Sequence, residues 1–360
     1  MTYFRPGRGN GTVSSTLKTI NGTGTDDTID LSGETSGRKV NAKGGDDSVI
    51  GSDHDDTIEG SSGDDTILAG PGDDNVSGGS GDDSIDAGSG DNDIRAGTGD
   101  NTVVSGDGDD KVRSGWGDDD ISTGGGDDEI RSGHGDDTVD AGDGDDMVRT
   151  GHGDSSVDGG AGDDLIEVGH GENTLRGGAG DDTLEGSIGY DTAVYDGSIL
   201  DFDICLTGSH LDGGDRHRND KGQGHDTHGN GHGYGHYKSW FACGWGQSLT
   251  VTDLIGAEGT DTLRFIDALQ FADVTLYLDG RDNAPVVSVS DQVVSESGTV
   301  AFPMEIVDFD GDGIAIDSVS ATGGLVDVAL LDGDTRDCAS GMLYELTFDT
   351  DGAYEGLALG

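Results

Sequence analysis

The sequence has little of what an ordinary globular core needs. Its 360 residues include three cysteines and four prolines, and only 5% are aromatic. No run of about 18 apolar residues occurs, so no transmembrane helix is expected. Residues 1–20 hold no apolar stretch of the signal-peptide kind. That argues against the general secretory route, but not against export that reads a C-terminal signal. Cys205, Cys243 and Cys338 lie far apart with no Cys-x-x-Cys pair, so neither a zinc nor a thiol-redox framework follows. Neither His-Glu-x-x-His nor Gly-x-Ser-x-Gly is present, which removes the commonest metalloprotease and hydrolase signatures. Basic residues are scarce: Lys plus Arg number 19 against 74 Asp plus Glu, a formal net charge of -55. Such a charge repels nucleic acid and anionic membrane surfaces, so neither partner is expected, and cations become the natural counterpart.

What is abundant is glycine, at 69 residues, together with aspartate. Gly-rich, acidic, aromatic-poor composition suggests disorder unless the order is periodic. It is periodic. The second residue of an Asp-Asp pair recurs in a register of nine at Asp47, Asp56, Asp65, Asp74, Asp83, Asp110, Asp119, Asp128, Asp137, Asp146, Asp164 and Asp182, and the register continues to Asp191. Asn92, Asn101, Ser155 and Asn173 occupy the same register. Two residues earlier stands Gly in every repeat except at His54, and two residues later an apolar side chain, from Val49 and Ile58 to Leu184 and Ala193. A degenerate earlier copy is Gly24-Thr25-Asp26-Asp27-Thr28-Ile29. A disordered Gly/Asp linker has no reason to place an aliphatic residue at every ninth position.

The best copies read Gly-Gly-x-Gly-x-Asp-x-U-x with U apolar, as in Gly78-Gly79-Ser80-Gly81-Asp82-Asp83-Ser84-Ile85-Asp86 and Gly177-Gly178-Ala179-Gly180-Asp181-Asp182-Thr183-Leu184-Glu185. Gly-x-Gly makes a tight turn, and x-U-x is a minimal strand whose middle side chain faces one way. Two repeats, 18 residues, then form one coil, and turns at i and i+18 stack. Asp carboxylates and freed backbone carbonyls of stacked turns enclose a small oxygen-lined space. Oxygen ligands alone suit a hard cation, Ca²⁺ more than Mg²⁺. The nonapeptide is the calcium-binding repeat of parallel β-helices, and here the sequence resembles the RTX (repeats-in-toxin) family of secreted bacterial proteins over about half of the chain. The resemblance implies multiple bound Ca²⁺ ions, an extracellular or cell-surface location reached without an N-terminal signal peptide, and a chain that stays extended at low cytosolic calcium for threading through a secretion channel.

The 18-residue coil sorts the turns into two rows. One holds Asp56, Asp74, Asn92, Asp110, Asp128, Asp146, Asp164 and Asp182, and full calcium occupancy is expected there. The other holds Asp47, Asp65, Asp83, Asn101, Asp119, Asp137, Ser155, Asn173 and Asp191, with weaker or missing sites expected around Ser155 and Asn173. The second row also carries Trp116, His134, His152 and His170 at a spacing of 18, with Arg113, Arg131 and Arg149 three residues before the first three, and Arg95 before Thr98. These predict parallel ladders along one edge. Two readings stay open for them: a docking stripe for a cell-surface, anionic or glycan ligand, or local charge compensation on an acidic roll.

The fold class expected is all-β: a parallel β-roll with a C-terminal β cap and a partial immunoglobulin/cadherin-like β-sandwich. Residues 1–21 form a lead-in and 22–195 the roll. Residues 196–280 form the cap, which resembles the module that often follows RTX arrays in its Gly-Thr-Asp-Thr-Leu and Leu-Gln-Phe-Ala-Asp stretches. Its strands are expected at 192–195, 200–204, 249–254 and 262–265. Residues 207–247 read as a Gly/His-rich insertion in which His225, His228, His232 and His236 are a candidate transition-metal set. Cys205 and Cys243 flank it, as a disulfide or as two thiols. Residues 281–360 resemble a cadherin-like sandwich, opening at Asp282-Asn283-Ala284-Pro285 and reading as incomplete. Within it Asp308, Asp310 and Asp312 are a second calcium candidate or a simple acidic turn. The leading function is calcium binding by a non-catalytic, structural or adhesive segment of a secreted protein. The competing one is the RTX part of a toxin or hydrolase whose catalytic domain lies beyond residue 360.

Overall fold

The computed structural model of the chain describes residues 19–207 and 248–278. It also describes the strand backbones Val286–Val289, Val293–Val294, Thr299–Asp308, Leu325–Asp332, Ser340–Asp349 and Leu357–Ala358. None of the described helices is long and apolar enough to cross a membrane. The described regular structure is strand apart from one 3₁₀ turn, Ile199–Asp201.

Successive nonapeptides alternate between two sheets, and each strand pairs in parallel with the strand 18 residues away. In one sheet Thr102–Asp107 lies beside Asp120–Gly125 with Val103 opposite Ile121. In the other, Lys111–Trp116 lies beside Glu129–His134 with Val112 opposite Ile130. The pattern runs through a 13-stranded and a 12-stranded sheet that together form a parallel β-solenoid. A period of two within each strand turns the apolar residue inward and its neighbours outward. Val112, Ile121 and Ile130 are accordingly fully buried.

Two residues after each apolar position, a second side chain also faces inward. Through the middle of the roll it is small: Ala96, Ser105, Ser114, Thr123, Ser132 and Ala141 are fully buried or nearly so, whereas Leu31 and Val168 take the position nearer its ends. One aliphatic and one small residue per repeat fill the thin space between the sheets. Beyond them the chain turns sharply at positive φ, which favours Gly, although Lys43 and Ser61 take the same register at φ +83° and +87°. Gly115 has φ +120°, and a β-carbon there would stand 2.0 Å from the Gly97 carbonyl oxygen of the preceding coil.

Both sheets continue past the last nonapeptide. Thr183–Glu185 pairs in parallel with Thr260–Arg264, and Thr192–Val194 with Ala268–Gln270. Ser248–Asp253 then adds antiparallel to Thr260–Arg264, and Phe202–Thr207 antiparallel to Ser248–Asp253. Tyr195, Phe202 and Phe271 pack their rings at centroid distances of 5.1–5.3 Å in this region. The strand expected from residue 200 begins at Phe202, because the preceding turn is closed by the Asp201 N–H donating to the Ser198 carbonyl. Phe265, expected inside a strand, has φ +55° and lies just beyond one.

C-terminal to the roll, Val286–Val289, Thr299–Asp308, Ser340–Asp349 and Leu325–Asp332 form a four-stranded antiparallel sheet in that order. Val293–Val294 pairs with Leu357–Ala358. The set His225, His228, His232 and His236 lies outside the described residues, as do Cys243, Cys338, Asp310 and Asp312. Of Asp308 and Cys205 only the strand backbone is described.

Two substitutions test this packing. Ile121→Ala is expected to cost about 2–5 kcal/mol and Gly115→Ala about 1–3 kcal/mol, measured by urea unfolding in calcium. Wild-type stability for both would contradict a core made of this single inward stripe.

Candidate metal centres in the turns

Each Asp of the register sits at the end of a turn with both carboxylate oxygens in defined surroundings. Oδ1 accepts the main-chain N–H of the equivalent Asp one coil earlier. Asp47 donates to Asp65 at 2.8 Å, Asp110 to Asp128 at 2.7 Å, and Asp146 to Asp164 at 2.8 Å. The first Asp of each pair works in the opposite direction. Its Oδ1 accepts from the N–H one coil later, as in Asp64 to Asp46 at 3.0 Å and Asp163 to Asp145 at 2.9 Å. Two antiparallel ladders of carboxylate–amide bonds therefore tie each turn to both neighbours.

The other oxygen, Oδ2, is buried and has no hydrogen-bond partner at Asp47, Asp65, Asp74, Asp83, Asp110, Asp119, Asp128, Asp137, Asp146, Asp164 and Asp182. Buried polar atoms are normally satisfied, so a repeated orphan in register is a structural signal. The asparagine copies show what lines the space beside it. Asn92 Nδ2 donates to the Gly90 carbonyl at 2.8 Å and the Ser105 carbonyl at 3.3 Å. Asn101 Nδ2 donates to the Gly99 carbonyl at 2.8 Å. In the Asp copies a carboxylate oxygen replaces the amide nitrogen. The crowding is visible at Gly159, where a β-carbon would meet Asp164 Oδ2 at 2.3 Å and the Gly177 carbonyl oxygen at 2.6 Å. Oxygen facing oxygen in a buried turn needs a positive charge between them. Carboxylate and carbonyl oxygens are the donor set a hard cation prefers. Among the described residues, no cluster of three or more His, Cys, Asp or Glu side chains suits a metal by itself. A site here therefore depends on main-chain carbonyls.

Residues 40–67, 50–85, 68–103, 86–121, 95–130, 114–148 and 158–193 match the family described as the RTX calcium-binding nonapeptide repeat (4 copies). These are RTX calcium-binding nonapeptide repeats. No curated protein matches the chain.

The RTX turns are not all alike. Asp56 Oδ2 accepts from the Ser52 N–H at 2.7 Å and the Ser52 hydroxyl at 3.0 Å. Asp191 Oδ2 accepts from the Ser187 N–H at 2.6 Å. Asp27 is closed in the same way by Thr23. In each case the residue four before the Asp is Ser or Thr, but residue type alone does not close the turn: Ser61, at φ +87°, stands four before Asp65 and leaves its Oδ2 unpartnered. Ser155 brings no carboxylate, and Asn173 spends its amide on the Gly169 carbonyl at 3.1 Å and Asp191 Oδ1 at 2.8 Å. The described residues thus bring together the orphan oxygens of Asp74, Asp110, Asp128, Asp146, Asp164 and Asp182 in one row, and of Asp47, Asp65, Asp83, Asp119 and Asp137 in the other.

Trp116, His134, His152 and His170 stack along one edge, with ring centroids 4.4, 5.0 and 4.6 Å apart. Arg113, Arg131 and Arg149 stand in strand register beside them. Their guanidinium groups are taken up by acidic neighbours. Arg95 and Arg113 share Asp93 at 2.9 and 3.3 Å, Arg131 pairs with Glu129, and Arg149 pairs with Glu167.

Burial pushes the carboxyls of Asp74, Asp83, Asp146 and Asp164 up to about 7, and those of Asp65, Asp128 and Asp182 up to about 6. Donated amides offset part of the rise, and neighbouring carboxylates add to it. Asp110, Asp119 and Asp137 are also raised by burial, with Ser105, Ser114 and Ser132 hydroxyls beside them counteracting it. A carboxyl raised above its unfolded value, about 3.9, favours the folded state below that value. The advantage is lost as pH rises through the folded value. In calcium-free buffer, acidification from pH 8 to pH 4 is therefore expected to stabilise the roll, with the transition between about pH 4 and 7. Circular dichroism as a function of pH checks this, and a calcium-free fold that weakens on acidification over that range would contradict it.

Proposed function

We propose that the roll is a calcium-folded, non-catalytic structural segment of a secreted or cell-surface protein. Its Asp Oδ2 atoms and turn carbonyls would hold a column of Ca²⁺ in each row. The carrying observation is the buried, unpartnered Oδ2 repeated every coil, set against the asparagine copies in which a hydrogen-bond donor fills the same place. Calcium would supply the positive charge that these turns lack. With a formal charge of -55, the calcium-free chain repels itself, so folding is coupled to cation binding. That coupling suits a chain exported unfolded and set on reaching millimolar calcium. The folded roll then acts as a stiff spacer for attached modules. Adhesion is the role favoured here, on the antiparallel sheet that follows the roll and the resemblance of residues 281–360 to cadherin-like modules. Residues 196–280 are assigned a capping role, supported by the aromatic cluster of Tyr195, Phe202 and Phe271 at the end of the nonapeptides.

The test is calcium titration calorimetry on the full chain, with magnesium as control. Asp128→Asn and Asp146→Asn are each expected to lower the number of bound calcium ions and raise the calcium midpoint several-fold. Ser155→Ala is expected to leave both unchanged. Wild-type stoichiometry and midpoint in both aspartate variants would overturn the assignment of these oxygens as ligands.

A further inference from the structure

The register of the roll outlasts the nonapeptides in both rows. The Asp182 N–H donates to Asp261 Oδ1 at 3.1 Å, and the Asp191 N–H to Asp267 Oδ2 at 2.9 Å. Just beyond Asp267 the 12-stranded sheet gains Ala268–Gln270 and Thr275–Tyr277. Thr192 lies opposite Ala268, and Ala268 opposite Tyr277. Gln270 lies opposite Thr275. Ala193, Leu269 and Leu276 point into the core and are buried. Their neighbours Thr192, Ala268, Gln270, Thr275 and Tyr277 therefore stand on the outer face. Ala268, the smallest of them, is 1% exposed and lies below the others.

The repeat pattern breaks at the same place. The first residue of the Asp pair is Asp from Asp46 through Asp154 at a spacing of 18, and then Glu172 and Tyr190. The Glu172 N–H still donates to Asp154 Oδ1 at 2.7 Å. The Tyr190 N–H, however, goes to the Gly171 carbonyl at 3.2 Å rather than to Glu172. The Glu172 carboxylate is thereby released from the ladder that its aspartate predecessors serve. Together with the outward side chains just named, Glu172 and Tyr190 line one open cavity of about 460 Å³. Its lining combines two tyrosine rings, a carboxylate, an amide and two threonine hydroxyls, with no basic side chain. Arg176, on the same outer face, is held by Asp158 and Asp196.

We infer that this cavity is a binding site for a neutral saccharide, held between Tyr190 and Tyr277 with Glu172 and Gln270 as its main polar contacts. An anionic ligand finds no counter-charge here and meets Glu172. A quaternary ammonium would use the rings and the carboxylate but leave the amide and both hydroxyls without partners. A neutral sugar uses the whole lining. Its C–H faces pack on tyrosine rings, which offer a flat apolar surface. Its hydroxyls donate to Glu172 and both donate to and accept from Gln270, Thr192 and Thr275. The volume lies in the range of small-molecule sites and suits a mono- or disaccharide. The inference deepens the adhesive part of the proposed function and rests on it for the setting, a glycan on another surface.

The experiment is saturation-transfer-difference NMR on the full chain in calcium. The probes are glucose, galactose, mannose, fucose and N-acetylglucosamine, with sialic acid and tetramethylammonium as charged controls. Transfer to at least one neutral sugar and to neither control is expected. Tyr277→Ala is expected to abolish that transfer, and Glu172→Gln to weaken the affinity about tenfold. Trp116→Ala, at the exposed aromatic edge outside the cavity, is expected to leave it unchanged. No transfer to any of the sugars, in a chain that takes up calcium, would overturn this site and leave the calcium-folded roll standing. Transfer that survives both cavity variants, or is lost in Trp116→Ala instead, would overturn the placement. Transfer to tetramethylammonium in preference to the sugars would overturn the ligand class. Should Tyr277→Ala fail to fold, Glu172→Gln, which changes one exposed side chain, carries the test. Sugar binding by a chain that takes up no calcium would support this site while overturning the proposed calcium-coupled folding.

Discussion

A buried carboxylate oxygen held against main-chain carbonyls is repulsive until a cation stands between them, and the roll is built around that situation repeated coil after coil. The oxygen is forced there by its partner. Oδ1 is fixed by the amide of the preceding coil, so Oδ2 has no freedom to rotate out to water. The turn that holds it is tight and mostly Gly, so no basic side chain enters the gap. Asn92 and Asn101 resolve the conflict with a nitrogen donor, and Asp56 and Asp191 resolve it with a serine amide. The remaining turns leave it unresolved within the protein, which is what makes their oxygens a metal's donor set.

The rest of the architecture follows from repeating this unit at 18 residues. Identical residues stack, so favourable bonds become ladders and like charges become columns. The amide–carboxylate ladders run in opposite directions along the two Asp positions and join each turn to both neighbours. The core they enclose is one aliphatic and one small residue deep, which offers modest hydrophobic stabilisation per coil. A solenoid of this kind gains stability by nearest-neighbour addition. Its cohesion therefore depends on removing the repulsion between stacked carboxylates. Exposed arginines do some of this work on the outer face through Asp93, Glu129 and Glu167, where solvent limits what each pair contributes.

Much of this was legible in the sequence, because a strict period makes each residue's environment the same as its neighbour's. The register of thirteen aspartates, the inward aliphatic position and the split into two rows of turns all follow from counting in nines and eighteens. The small residues two positions later leave no hydropathy signal, since Ala, Ser, Thr and Gly share size rather than hydropathy. The self-closing turns at Asp56 and Asp191 were legible in Ser52 and Ser187. That reading needs the main-chain conformation as well, because Ser61 and Lys43, both at positive φ, leave the Oδ2 atoms of Asp65 and Asp47 unpartnered. Asp261 was hidden for a different reason. Gly259-Thr260-Asp261-Thr262-Leu263 keeps the Gly-x-Asp-x-U pattern of the repeats, but its register with Asp182 spans an insertion that counting in nines does not bridge. The Trp116–His170 stack was foreseen as a ladder, but the pairing of each arginine with a particular carboxylate depends on side-chain geometry.

The most direct trial of calcium as the folding partner is far-UV circular dichroism of the full chain at neutral pH during calcium titration, with EGTA reversal and a magnesium control. Oxygens left facing one another in every coil predict a weak β signal in EGTA. They also predict a cooperative, reversible rise with calcium at roughly 10⁻⁴–10⁻³ M, which magnesium does not reproduce. A full β signal already present in EGTA at neutral pH would contradict it, because the turns would then be satisfied without a cation.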